Sequence, residues 1–176
     1  MHDFVHLHVH SQYSILDGQA SIQRLVDKAM ADGMKGMALT DHGNMFGVKE
    51  FYNYVNKKNG KVKDEIKGLK KRIAALESGK ETADNPAEEV AACKAKVTEL
   101  EGKLFKPIIG CEMYVARRRL FDKEGKPDQS GYHLVVLAKN NKGYHNLIKL
   151  VSKAWTEATT CVRVPTGSNW RNTTKG

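Results

Sequence analysis

The sequence predicts an α/β domain with an antiparallel helical hairpin inserted into it. Short apolar strands alternate with amphipathic helices on both sides of the middle of the chain, which is the pattern of a sheet covered by helices. The middle, at about residues 61–103, is instead rich in Lys, Glu and Ala and carries heptad spacing. A length of 176 residues suits one domain with such an appendage.

The chain opens with a predicted short strand that contains three histidines. Alternation over residues 5–10 places His6, His8 and His10 on one face and apolar residues on the other. Imidazole is a ligand for zinc, iron and manganese, and Asp17 follows closely with a carboxylate. A solvent-exposed strand that merely contains three histidines is the alternative at this point.

The next segments predict helix, strand and helix in turn. Ser21 is a suitable N-cap for a helix from residue 22 to about residue 32, and Gly33 is a natural stop. A short apolar strand at 36–40 ends in the turn-rich tetrapeptide DHGN, and a second helix is predicted at about 46–57. This order is typical of a parallel sheet with helices outside it.

Two heptad seams predict the hairpin. The apolar residues follow spacings of three and four in each of two runs. They are Val62, Ile66, Leu69, Ile73 and Leu76 in the first, and Val90, Cys93, Val97, Leu100 and Leu104 in the second. A helix-breaking stretch at 78–86 separates them. A disordered charged linker is the alternative, and the regular seams argue against it.

The α/β pattern then resumes. Residues 107–115 are predicted to form a strand, on which alternation gives Glu112 a different face from Cys111. Residues 133–138 form a nearly continuous apolar run, which is typical of a buried parallel strand, and an amphipathic helix follows.

Composition limits the class of protein. The formal net charge of +9 allows a polyanionic partner, although the dense basic cluster Arg117–Arg119 is equally suited to a solvated loop. Three cysteines without paired spacing fit a reducing compartment. With neither an apolar run of membrane-spanning length nor a signal-peptide pattern, the sequence predicts a cytoplasmic protein without membrane contact.

Metal-capable side chains recur at or near the ends of the predicted strands. They are His8, His10, Asp17, His42, Glu112 and His133. Each one alone has an ordinary structural explanation, but a carboxylate inside an apolar strand, such as Glu112, needs a partner. A set of His, Asp and Glu without a thiolate favours a hydrolytic cluster of two or more Zn, Mn or Fe ions, with Glu112 as the natural bridging ligand.

The segments HLHVHS, LTDHGNM, KPIIGCEMYV and GYHLVVLAKN resemble successive motifs of the polymerase and histidinol phosphatase (PHP) domain. More narrowly, they resemble the amino-terminal region of the bacterial DNA polymerase III alpha-subunit family. The resemblance implies a distorted (β/α)7 barrel that binds up to three metals through His8, His10, Asp17, His42, Glu112 and His133, with 3′–5′ proofreading or phosphoesterase activity. It also implies DNA and other polymerase III subunits as partners of a full-length parent, which would be a DNA-directed DNA polymerase (a nucleotidyltransferase). His6 stands where the wider family often has Asp, so it is not counted as a ligand.

Two departures from the family pattern qualify this expectation. The hairpin at about 61–103 looks like an insertion that contacts a partner or another polymerase domain. The resemblance stops after residue 157, and 158–176 is Thr-rich without periodicity. One allowed back-translation of that tail, with a single G restored after codon 157, reads GYYMRPRTDRIELEKYHKG, which resembles the expected family continuation.

We therefore expect residues 1–157 to be the amino-terminal part of a truncated PHP domain, a partial barrel, and 158–176 to be an out-of-frame tail. On this hypothesis the later family ligands, a Cys, an Asp and a His, and the polymerase active site lie beyond this chain, and Cys161 is not the missing Cys. Whether this chain is itself an enzyme stays open. The alternatives are a free-standing phosphatase of the histidinol-phosphatase type and a non-catalytic scaffold.

Overall fold

The computed structural model describes residues 4–80, 82, 84–115 and 131–157, together with the backbone of 163–164. In chain order the elements are α1 (Ile22–Ala31), β1 (Gly36–Leu39), α2 (Val48–Lys58), α3 (Gly60–Glu77), α4 (Pro86–Lys103), β2 (Lys106–Val115), β3 (Tyr132–Leu137), α5 (Asn141–Glu157) and β4 (Arg163–Val164). They fall into two compact units. The first unit contains Met1–Tyr52 and Pro107–Gly176, and the hairpin unit contains Asn53–Lys106.

Helix α1 forms where the sequence predicts it. The Ser21 side chain accepts a hydrogen bond from the Arg24 N–H, which satisfies one of the free donors of the first turn. At the other end Gly33 has a φ of 76°, a conformation that favours glycine. Ile22, Val26 and Ala29 form the buried stripe of the helix.

The sheet of the first unit has the strand order β1-β2-β3, and β4 pairs with β2 off this path. Strands β2 and β3 are antiparallel, with Glu112 opposite Val135 and Tyr114 opposite His133. The prediction of a buried parallel strand at 133–138 is therefore wrong in direction and in burial, because Leu134 is exposed and none of these residues is fully buried. An apolar run does not encode pairing direction, which depends on the path of the preceding connection.

The predicted first strand is also wrong in detail. Residues 6–10 run beside β1 without forming a regular ladder. The Ala38 N–H donates to His6 O and the Thr40 N–H donates to Val9 O. The Val9 N–H, however, donates to the Thr40 hydroxyl at 2.9 Å instead of to a backbone carbonyl. The Thr40 side chain thus replaces a backbone carbonyl as hydrogen-bond acceptor, and the segment does not form a regular β-strand.

One cluster of the core of the first unit lies between β2 and α5. Cys111 and Met113 pack against Leu147, Leu150 and Val151, all buried. The side chains that alternate with Cys111 and Met113 along β2 point to the opposite face, so Glu112 and Tyr114 share that face. Because the apolar face of β2 is buried in the core, the side chains of Glu112 and Tyr114 lie on the face of this strand where a functional site can form.

In the hairpin unit, α3 and α4 pack through the two heptad seams. Ile66, Val97 and Leu100 form a buried cluster. Ion pairs join Lys70 to Glu101 and Lys94 to Glu77, so the two helices run antiparallel.

None of the helices in the described part of the chain combines the length and apolar character that a membrane crossing requires. The Arg117–Arg119 cluster, Cys161 and most of the predicted tail lie outside the described residues.

Candidate metal centre

The six metal-capable residues that the sequence singles out lie close together in the first unit. They form three overlapping groups whose ligand atoms lie within 4.8 Å of one another in each group. The groups are His8, His10 and Glu112; His10, Asp17 and His42; and His42, Glu112 and His133. His6 belongs to none of the groups found among the described residues, and its ring instead contacts Phe4.

Glu112 lies at the centre of these groups. Its Oε2 atom is 2.7 Å from His10 Nε2, 3.9 Å from His8 Nε2 and 3.8 Å from His42 Nδ1. Its Oε1 atom is 2.6 Å from His133 Nδ1. The two oxygens of one carboxylate therefore face different histidines.

Two of these atoms are buried without a hydrogen bond. His10 Nε2 and Glu112 Oε2 have no hydrogen-bond partner within the part of the chain that the structure describes. They are 2.7 Å apart, yet their contact lacks the geometry of a hydrogen bond. Buried polar atoms are normally paired, so two adjacent nitrogen and oxygen ligand atoms of this kind suit a cation that both of them bind. The donor chemistry of the site fits a divalent metal.

Asp17 reaches the site from a tight loop. Its Oδ2 atom is 2.6 Å from His42 Nδ1 and 3.5 Å from His10 Nδ1. The hydrogen bond with His42 is the main cause that lowers the pKa of Asp17. The loop requires Gly18, because a Cβ atom there would lie 1.9 Å from the Ser11 carbonyl oxygen.

The charge state of Glu112 follows from opposing effects. Burial acts to raise the pKa of this carboxyl. The hydrogen bond with His133 and electrostatic interactions with His10 and His42 act to lower the pKa, and together they prevail. A buried carboxylate held in its ionised form is the state that a metal ligand requires.

A model of the PHP domain family matches residues 6–172 of the chain. The chain belongs to the PHP domain family. It is also similar to proteins named DNA polymerase III subunit alpha: 41% identical over 155 residues to that of Treponema pallidum, 36% over 157 residues to that of Borreliella burgdorferi and 33% over 161 residues to that of Aquifex aeolicus. Each match covers 88% of this chain but only 9–10% of the relative. The resemblance to the PHP family and to DNA polymerase III alpha subunits is thereby confirmed.

Sequence reasoning missed Asp41, which organises the loop of this PHP domain that carries Asp17. Asp41 is 1% exposed and accepts hydrogen bonds from the Ser11 N–H at 2.6 Å and from the Ser14 hydroxyl at 2.8 Å. Ser14 Oγ in turn accepts from the His42 N–H. The available signal was a carboxylate directly after an apolar strand together with two serines in the preceding loop, a pattern too common to be decisive.

Two hydroxyl residues beside the predicted ligands were missed as well. The Thr40 hydroxyl lies 2.9 Å from His8 Nδ1, and Tyr114 Oη contacts His42 Nε2. The Tyr114 ring also packs edge-on against His133. Strand alternation could have indicated Tyr114, since it lies two residues beyond Glu112 on the same strand.

The open side of the site has an apolar rim. A cavity of about 320 Å³ is lined by Asp17 and His42 together with Ile15, Leu16, Phe46 and Trp155 among other residues. The four apolar side chains are largely exposed. Trp155 is held beside His42 because its indole N–H donates to Gly43 O. Asp17 and His42 are therefore accessible from the side of this cavity.

Proposed function

We propose that this chain is the PHP region of a bacterial DNA polymerase III alpha subunit, and that its site binds divalent metal ions for phosphoester cleavage of the 3′–5′ exonuclease type. The observation that carries the proposal is the buried contact between His10 Nε2 and Glu112 Oε2, two potential metal-ligand atoms 2.7 Å apart that make no hydrogen bond in the described part of the chain. Nitrogen and carboxylate ligands without a thiolate suit Zn, Mn or Fe.

Six side chains would hold the ions: His8, His10, Asp17, His42, Glu112 and His133. Glu112 is the proposed bridging ligand, because its Oε1 faces His133 while its Oε2 faces the other three histidines. Two or three ions are proposed for the complete domain. Cys111 is not among the proposed ligands because its side chain packs in the core, on the opposite face of β2 from Glu112.

When bound, ions of this kind supply Lewis acidity toward phosphoryl oxygens and a nucleophile at neutral pH. The protein contributes position and access. Glu112 and His10 are largely buried and anchor the site, whereas His133 and Asp17 are 51% and 40% exposed and face solvent. The exposed ligands and the rim of Leu16, Phe46 and Trp155 leave room for a phosphodiester to approach from outside.

Metal analysis of the purified protein tests the site. We expect two or more Mn, Zn or Fe ions per chain, and their loss in the double variant His8→Ala plus His10→Ala. His6→Ala is the matched control, since His6 lies in the same segment but outside all three groups. A folded protein that contains no metal would instead support the scaffold alternative.

Substrate preference separates the two enzymatic alternatives. Incubation of the metal-loaded protein with a primer that has a mismatched 3′ end should release nucleotides, whereas histidinol phosphate should not be hydrolysed. The reverse preference would favour a free-standing phosphatase. Loss of the observed activity in the double variant His8→Ala plus His10→Ala links either result to the site.

The proposal extends to the wider architecture and to the partners. We propose that the sheet belongs to a distorted (β/α)7 barrel and that DNA and other polymerase III subunits contact the full-length parent, where nucleotidyl transfer takes place. The hairpin at 61–103 is proposed as a contact surface, since its apolar seam is satisfied internally and its outer positions are charged. Deleting it should leave metal content unchanged and weaken binding to one of these partners.

The origin of residues 158–176 stays a prediction. The match to the family model reaches residue 172, and the backbone of Arg163–Val164 pairs with β2. Sequencing the locus tests the frameshift hypothesis. Polymerase-like coding sequence in a shifted frame downstream of codon 157 would support it, and an intact stop-terminated frame without such sequence would refute it.

A further inference from the structure

The hydroxyl of Thr40 lies within hydrogen-bond distance of the His8 ring. Thr40 directly follows β1, is completely buried and lies beside the irregular segment that carries His8 and His10. We propose that Thr40 is a positioning residue that fixes the His8 tautomer with its proton on Nδ1, so that Nε2 is free to bind metal. This inference rests on the proposed metal site for its purpose, but the tautomer can be measured without metal.

Three contacts surround the Thr40 hydroxyl oxygen. The Val9 N–H donates to it at 2.9 Å, and Val9 O lies 3.2 Å away. His8 Nδ1 lies 2.9 Å away. A hydroxyl has one proton to donate and two lone pairs that accept.

Counting protons gives one assignment in which all three contacts are hydrogen bonds. Val9 N–H can only donate and Val9 O, which also accepts the Thr40 backbone N–H, can only accept, so in this assignment the Thr40 hydroxyl proton goes to Val9 O. Both lone pairs of the hydroxyl then accept, one from Val9 N–H and the other from His8 Nδ1–H. A proton on His8 Nε2 would instead face Glu112 Oε2 at 3.9 Å, outside hydrogen-bond range.

The geometry at the other ring nitrogen agrees with this assignment. With the proton on Nδ1, the lone pair on His8 Nε2 faces Glu112 Oε2 across 3.9 Å. Two ligand atoms of one zinc or similar ion, each at about 2.0–2.2 Å from it, can lie up to roughly that far apart. Residues that hold the second nitrogen of a metal-binding histidine typically change metal affinity by about 10–100-fold when replaced.

Nitrogen NMR of the metal-free protein tests the tautomer directly. Protonated and unprotonated ring nitrogens of ¹⁵N-labelled histidine have distinct shifts, and a His8→Gln variant identifies the His8 signals. At about pH 8, where free imidazole is neutral, we expect a protonated Nδ1 and an unprotonated Nε2 in the unmodified protein and in Thr40→Ser. In Thr40→Val, which keeps the shape but not the hydroxyl, His8 should become a mixture of tautomers while the His10 signals stay unchanged.

Titration with Zn²⁺ alone tests the consequence. Thr40→Val should weaken binding by about 10–100-fold, and Thr40→Ser should restore it to within a few-fold. An unprotonated Nδ1 in the unmodified protein, or a Thr40→Val variant with unaltered His8 signals, would overturn the inference, as would altered signals of His10 that indicate a general structural change. If the unmodified protein shows the expected tautomer but binds no Zn²⁺, the proposed function fails while the assignment of His8 is supported.

Discussion

Replacing Asp41 by alanine should destabilise the fold strongly, although Asp41 is not one of the predicted metal ligands. The Asp41 carboxylate is almost completely buried and accepts hydrogen bonds from three donors. These are the Ser11 N–H at 2.6 Å, the Ser11 hydroxyl at 2.9 Å and the Ser14 hydroxyl at 2.8 Å. Through Ser14 and the His42 N–H it also joins the loop of Asp17 to the end of β1.

The magnitude follows from what each donor can do afterwards. The two hydroxyls can rotate toward other acceptors, but the backbone N–H of Ser11 is fixed and buried. An unsatisfied buried donor costs about 1–3 kcal/mol, and each hydrogen bond to a charged group contributes about 1.5–3 kcal/mol. We expect Asp41→Ala to lower the free energy of unfolding by about 3–5 kcal/mol, a large part of the roughly 5–15 kcal/mol that a domain typically has.

Asp41→Asn is the matched control because it keeps the shape and one oxygen. That oxygen can retain the Ser11 N–H and the Ser14 hydroxyl, which both donate to Oδ1. The amide nitrogen would replace Oδ2, whose partner, the Ser11 hydroxyl, can reverse its role and accept. Losing only the charge of the acceptor should cost about 1–2 kcal/mol.

Urea unfolding followed by circular dichroism measures both variants at neutral pH. The expected order is unmodified protein, then Asp41→Asn, then Asp41→Ala, with equal slopes against urea. A loss below about 1 kcal/mol for Asp41→Ala would show that the serine contacts contribute little to the native state. A loss in Asp41→Asn as large as that in Asp41→Ala would show that charge, and not the geometry of the acceptor, decides the effect.

Three further predictions concern backbone space, pH and thiol reactivity. Gly18→Ala should destabilise the fold and weaken metal binding, because the new Cβ atom would lie 1.9 Å from Ser11 O. Gly68→Ala in α3 is the control, since open space surrounds that position, and it should raise the free energy of unfolding by about 0.5–1 kcal/mol in the same urea assay. Lys103 and Lys96 lower the pKa of Glu99 to about 2, so the contribution of these two ion pairs to stability is complete above the ordinary pKa of 4.5 and is lost as pH falls toward 2. The stability of Glu99→Gln should therefore depend less on acid in unfolding experiments, and equal acid sensitivity would refute the pairing. Cys111, with its pKa raised to about 12 by burial and two carboxylates, should escape alkylation by iodoacetamide at pH 8 until the protein is denatured, as peptide mass spectrometry can check.

Local patterns in the sequence predicted the elements whose causes are local. Ser21 and Gly33 mark the ends of α1 because capping and a positive φ depend on residues within one helical turn. The seams containing Ile66 and Val97 indicate α3 and α4 for the same reason, since helix-to-helix packing here joins segments close in sequence.

The strands were harder to predict because their partners are distant. The apolar run at 133–138 does not reveal that β3 pairs antiparallel with β2 and leaves His133 half exposed. The segment of His8 and His10 alternates like a strand, yet the Thr40 hydroxyl replaces one backbone acceptor. Neither fact is visible before the neighbouring element is in place.

Local sequence patterns are enough to predict the side chains that this PHP domain offers to a metal: His8, His10, Asp17, His42, Glu112 and His133, with the alternation that turns Glu112 away from the core. That these six lie close together depends on tertiary contacts, because the parallel bridge between His42 and Glu112 and the antiparallel pairing of β3 with β2 join segments that are far apart in the sequence. The structure also decided the roles of Asp41 and Thr40. A hydroxyl or carboxylate in a sequence has many possible partners, and burial selects the ones that remain.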